Sequence, residues 1–146
     1  MHLVVTEIAL CRGFRKDPAM DFDPTAPVLA LVIEPGDDVA TLRPVSVNQS
    51  GEIGELIGGH IEAVEIDGGS VLWLDESGKN KGLATNLLAT KIAHHLHAGL
   101  YPDDTVNGRA LVVGEAAGPD GDLVSVDVTP STLSALAEID VVVRSG

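Results

Sequence analysis

Cysteine occurs once in these 146 residues, as Cys11, which excludes an intrachain disulfide framework and a cysteine-based zinc site. With no base beside it in sequence, Cys11 reads as a small hydrophobe rather than a nucleophile. Aromatic residues make up only 3% of the chain, so a core must be assembled from Val, Leu, Ile and Ala. Bases are also scarce: nine Lys and Arg stand against 22 Asp and Glu, a formal net charge of −13. They are scattered, and Arg12, Arg15 and Lys16, with Lys79 and Lys81, form the only small groupings. Phosphate binding needs a basic cluster, so direct nucleic-acid binding is not expected. The acids are spread along the chain rather than gathered in a run. They read as solubilising charge, with mimicry of a polyanion as the other reading. No apolar run approaches the roughly 20 residues that span a bilayer, so no membrane partner is expected. The N-terminal stretch "MHLVVTEIALCRGF" is interrupted by Glu7 and lacks a basic start. It therefore reads as a first strand rather than a signal peptide, and the expected location is cytoplasmic.

What the chain does have is aliphatic residues. An apolar fraction of 45% is too high for disorder, and the length suits one domain over 1–146. Residues 2–10 and 28–33 are β-rich apolar runs, the second closed by the turn signal Glu34-Pro35-Gly36-Asp37-Asp38. The intervening 11–27, rich in Pro and Asp, reads as a surface loop. Pro44 demotes 41–47 to an edge strand or splits it. "GEIGELIG" (51–58) fits a helix of about two turns, with Ser50 as N-cap and Glu52 and Glu55 near the favourable end of the dipole. "HIEAVEID" and "SVLWLDE" read as two strands joined by Gly68-Gly69, followed by a turn in which Gly78 takes a left-handed conformation. Leu83, Leu87, Ile92 and Leu96 recur near the helical period, which predicts one long helix over 83–99 stopped by Gly99. A buried strand over 109–115 follows. Val124, Val126 and Val128 mark a half-buried strand, Thr129-Pro130 opens a short helix, and 140–145 is an edge strand. The expected fold is α+β: a mainly antiparallel or mixed sheet with one long helix and two short ones.

The segment "ELIGGHIE" (55–62) holds the first candidate site. Gly58 and Gly59 could cradle an anion. They follow a helix, however, at its electronegative end, so a turn that leads helix into strand is the simpler account. "ESGKNKG" resembles a phosphate loop only superficially, because Trp73 stands where the first glycine belongs and Asn80 follows Lys79. His94, His95 and His97 crowd the end of the predicted helix, as solvated groups favoured by the dipole or as a weak metal site. Glu62 and Glu65 lie on opposite faces of their strand and cannot form an acid–base dyad along it. Glu62 shares a face with Val64 and Ile66. It either takes a buried partner such as Lys79 or Arg109, or lies exposed at the strand end. Ser77, Ser131 and Ser134 lack a nucleophile-elbow context, and no catalytic residues or cofactor are assigned.

Five features in order carry a family resemblance: Glu34-Pro35-Gly36; Glu55 to Glu62 with the double glycine; Asp75-Glu76-Ser77-Gly78-Lys79; Asn86 with Ala89; and Val112-Val113-Gly114-Glu115. On these, residues 28–115 resemble an uncharacterised domain family of phages and of bacteria, often actinobacteria. Its pattern is E-L-[IV]-G-G-x-[IL]-E followed by an acidic-x-G-K turn. Asp75 departs from it, standing where asparagine is expected. The resemblance implies a small accessory domain linked to phages or mobile elements, in the host cytoplasm if phage-encoded, with residues 122–144 as a strand–helix–strand extension. It implies no reaction.

These observations point to a non-enzymatic binding or accessory protein acting on a host protein or small ligand, with a homodimer as a further expectation. An acidic, nucleic-acid-mimicking inhibitor is the alternative, and a small hydrolase or transferase the third. The expected binding surface joins Gly58, Gly59, Glu62, Asp75, Lys79 and Asn86, with Asn86 as a paired donor and acceptor and Lys79 as a charge partner.

Overall fold

The computed structural model describes residues 22–146. The strand expected over 2–10, Cys11 and most of the 11–27 loop lie outside the described residues. The elements run β1 (Val28–Ile33), β2 (Ala40–Val45), α1 (Glu52–Ile57), β3 (Ile61–Ile66), β4 (Ser70–Asp75), α2 (Leu87–His95), β5 (Ala110–Ala117), β6 (Leu123–Val126), α3 (Pro130–Glu138) and β7 (Val143–Ser145). The seven strands form one sheet in the order β3-β4-β5-β1-β2-β7, and β6 adds to β5 beside that path. Every pairing is antiparallel except β2 with β7. β5 serves β1 with residues 110–112 and β6 with residues 114–117.

Alternation along the strands divides the core in two. Leu31, Ile33, Leu72, Leu74, Ala110 and Val112 face α2 and α3, where Leu88, Ile92, Leu96, Leu133 and Leu136 complete the larger cluster. Ala30, Val32, Leu111 and Val113 face the other way and pack with Val47 and Ile57, with Trp73 partly buried against them. A sheet covered on both faces explains why the β1 and β5 runs are apolar throughout rather than alternating.

The expected α+β fold with one long helix is corrected. Strand makes up 33% of the described residues against 19% helix, so the domain is mainly β. The predicted helix over 83–99 is the nine-residue α2. Asn86 caps it, its side-chain oxygen accepting from the Ala89 N–H at 3.0 Å, while Thr85 pairs with Asn107 as an isolated bridge. Leucine periodicity ran across that boundary, and the core-facing stripe is Leu88, Ala89, Ile92, Ala93 and Leu96, whereas Leu87 is exposed. At the other end His97, not Gly99, takes the left-handed position next to the cap. α1 is capped by Gly51 without a side-chain bond. Glu52, instead of Ser50, supplies the local contact by accepting from the Gln49 N–H at 2.8 Å. Pro44 fits within β2 because β7 pairs only with residues 40–42, which leaves the outer side of Pro44 without a ladder partner in the described sheet. Thr129 and Pro130 open α3 as expected, the threonine hydroxyl accepting from the Thr132 N–H at 3.1 Å. No described helix is long and apolar enough to cross a membrane.

Candidate functional site

The β3–β4 hairpin, residues 76–82 and the 100–107 loop meet at one end of the sheet. Gly58 takes φ 90° and closes α1, its N–H donating to the Gly54 carbonyl at 2.8 Å. Gly59 answers a different need. A Cβ on it would lie 2.5 Å from Lys81 Nζ and 2.7 Å from Asp75 Oδ2. The second glycine therefore lets the chain pass over an ion pair, and the first turns the helix.

That ion pair is short and lopsided in exposure. Lys81 Nζ lies 2.5 Å from Asp75 Oδ2; the Asp75 side chain is fully buried and that of Lys81 40% exposed. Oδ2 has no other partner, and the contact with Lys81 is an ion pair without ideal hydrogen-bond geometry. Asp75 Oδ1 accepts from the Ser77 N–H at 2.8 Å. The Lys81 ammonium, then the Ser77 N–H, hold the Asp75 carboxyl below its usual value, against the opposing effect of burial. The lysine that pairs with Asp75 is Lys81, a residue outside the expected binding surface. Lys79 instead makes an ion pair with Asp104, across from it on the loop.

Asn86 is fully buried and fully used. Its amide nitrogen donates to the carbonyls of Ile33 and Gly108, both at 2.9 Å, while its oxygen caps α2. It joins β1, the 106–108 segment and α2 from inside, so it supports the surface without reaching it. Gly78 does not have positive φ, which corrects the expected left-handed turn. It is glycine because the Asn107 carbonyl occupies the space a Cβ would need. Arg109 engages Glu34 rather than Glu62: Nε donates to the carboxylate at 2.9 Å, Nη2 lies 2.7 Å from Glu34 Oε2 in the ion pair, and Nη1 donates to the Leu56 carbonyl at 2.7 Å. This fastens the last turn of α1 to the end of β1, and the Glu34 carboxylate raises the Arg109 pKa against the effect of burial.

Between the hairpin end and the loop lies an open cleft of about 270 Å³ whose lining includes Glu62, Asp75, Glu76, Lys79, Asp104 and Asn107. Three of the six expected residues thus meet at one cleft, with Gly58 and Gly59 behind it and Asn86 beneath. Glu62 lies opposite Leu74 and is exposed at the strand end, whereas Ile66 on the same face enters the core. Among the described residues no hydrogen bond or ion pair engages the Glu62 carboxylate. The far wall is well braced. Asp104 accepts from the Thr105 N–H at 2.9 Å, the Val106 N–H donates to Thr90 Oγ1 at 2.9 Å, and His94 Nε2 lies 2.8 Å from the Asp104 carbonyl. His97 is drawn elsewhere, to Asp67 at 2.6 Å, and no group of three potential metal ligands forms among the described residues.

A mainly β sheet with helices on both faces and a charged cleft at the hairpin end defines the class of domain. Residues 28–135 match the family described as a domain of unknown function (DUF3846), and the chain belongs to that family. No curated protein matches it significantly. The fold is similar to part of the crystal structure of small RNA methyltransferase HEN1, with a TM-score of 0.53 and 15% identity. The similarity covers 90% of this chain but only 18% of the methyltransferase chain, and it concerns the fold alone.

Proposed function

We propose that this chain is a non-enzymatic binding or accessory protein of the phage or mobile-element type, acting in the host cytoplasm on a host protein through the hairpin-end cleft. The observation that carries the binding role is Glu62, an exposed carboxylate with no hydrogen bond or ion pair among the described residues, on the wall of a cleft where Asp75, Lys79 and Asp104 are tied into ion pairs. The phage link rests on the order of motifs from Glu34 to Glu115.

The cleft favours a protein partner over a cofactor-sized ligand. At about 270 Å³ it lies below the roughly 300–1,000 Å³ usual for drug-sized ligands, yet it has room for a protruding side chain. Glu62 would receive a basic group, and the Lys79–Asp104 bridge would fix the register on the opposite rim. Gly58, Gly59, Asp75 and Asn86 contribute by holding the walls in place. The test is native mass spectrometry of the protein purified from its own host lysate, wild type beside a Glu62→Ala/Lys79→Ala variant. Wild type should carry a partner at fixed stoichiometry, and the variant should lose it while melting at the same temperature. Retention of the partner by the variant would remove the cleft from the function.

A further inference from the structure

We infer that the outer edge of β3 is a docking strand for an extended, basic segment of a partner protein, which adds to the sheet as an extra strand. This rests on the binding role proposed above and specifies how the partner is held.

β3 is the terminal strand of the described sheet, so one row of its backbone groups faces away from β4. The row can be identified. The Glu76 N–H donates to the His60 carbonyl at 3.0 Å, and the register continues as Glu62 opposite Leu74 and Val64 opposite Leu72. Antiparallel pairs alternate between bonded and non-bonded, so Ile61, Ala63 and Glu65 point their N–H and C=O groups outward. All three residues are exposed.

Charge selects the occupant. The edge carries one acid on each face, Glu62 and Glu65, and each lines its own recess. Glu62 shares the 270 Å³ cleft with Glu76 and Asp104. Glu65 shares a second recess of about 340 Å³ with Glu115, on the opposite face of the sheet. Side chains of an added strand alternate between the two faces, so Lys or Arg three positions apart would reach one recess each. Ile61 and Ala63, on the same face as Glu65, offer an exposed apolar strip to a β-branched side chain. Charged edges discourage indiscriminate pairing. A second copy of this chain would bring its own Glu62 and Glu65 against these, so a basic segment is the complementary occupant and self-pairing is disfavoured.

The test uses the full chain and three synthetic peptides of about ten residues. One has Lys at its fourth and seventh positions with Val and Thr elsewhere; one has Glu for Lys; the third is the Lys peptide N-methylated at alternate amides. The Lys peptide should bind, and the Glu peptide should not. N-methylation should weaken binding by at least about tenfold, because it removes strand hydrogen bonds and leaves the charge. The amides of Ile61, Ala63 and Glu65 should exchange rapidly in the free protein and slow by about tenfold or more in the complex. Equal binding of the N-methylated peptide would overturn strand addition. So would slow exchange of these amides before any peptide is added, since the edge would then already be covered. If the N-methylated peptide binds normally but Glu62→Ala/Lys79→Ala abolishes its binding, the cleft survives and the docking strand does not.

Discussion

Gly59 shows how much a single hydrogen can decide. Its backbone tolerates any residue, but its missing Cβ leaves room for Lys81 Nζ at 2.5 Å and Asp75 Oδ2 at 2.7 Å from where that atom would stand. Gly59→Ala must therefore push the ion pair aside, and it should lower stability by about 1–3 kcal/mol in denaturant unfolding. A change below about 0.5 kcal/mol would mean that Lys81 swings away freely. The same pair sets an acid limit. Because the folded Asp75 carboxyl titrates below its usual 3.8, its stabilisation is fully present above about pH 4 and is lost as pH falls through the lower folded value. Lys81→Met removes the main cause of that depression, so the acid-unfolding midpoint should move to higher pH. An unchanged midpoint would show that the Ser77 N–H alone keeps Asp75 ionised. Gly58 was legible as a helix-ending glycine because its reason is local. The reason for Gly59 sits 16 and 22 residues away in Asp75 and Lys81, and no local pattern announces it.

At the scale of elements, the misread helix is the instructive case. Leu83, Leu87, Ile92 and Leu96 have helical spacing, yet residues 83–86 belong to a bridge with the 106–108 segment, and Asn86 stops the helix from beginning earlier. Its amide group makes three bonds to three separate pieces of backbone, at 2.9, 2.9 and 3.0 Å. This separates two roles by substitution. Asp is as good an N-cap as Asn, so a capping role alone predicts that Asn86→Asp is tolerated. The structure predicts otherwise: a carboxylate would face the Ile33 and Gly108 carbonyls with no proton to offer. Asn86→Asp should cost about 2–4 kcal/mol near neutral pH, at least as much as Asn86→Ala. A thermal melt of Asn86→Asp matching wild type would refute the clamp. The start of α3 was readable in sequence, because Pro130 marks the first helical position and the Thr129 cap finds its partner at Thr132, three residues on. The Asn86 clamp, whose partners lie 53 and 22 residues away, was not.

Across the whole molecule, strand existence was largely visible while strand order was not. β1, β3, β4 and β5 each declare themselves by alternation or apolar runs, but their order is a property of chain return. Nothing local places β1 beside β5, or divides the β5 edge between β1 and β6. The same holds for the cleft, whose walls are contributed by segments up to 45 residues apart (Glu62 to Asn107). Net charge, by contrast, is fully legible, and its consequence belongs to the whole molecule. With −13 on 146 residues, carboxylate repulsion acts across the fold, whereas Lys79–Asp104 and His97–Asp67 are exposed pairs that contribute little. Chloride salt screens both, over a length of about 10 Å at 0.1 M, and relief of the repulsion should outweigh weakening of the pairs. Raising NaCl from about 20 mM to about 0.5 M should therefore raise the melting temperature by about 2–4 °C, near 1 kcal/mol for a domain of this size. Salt should at the same time weaken the Lys peptide at the β3 edge, so stability and binding move in opposite directions in one titration. A melting temperature that falls with salt would show that the ion pairs, not the net charge, dominate the electrostatics of the fold.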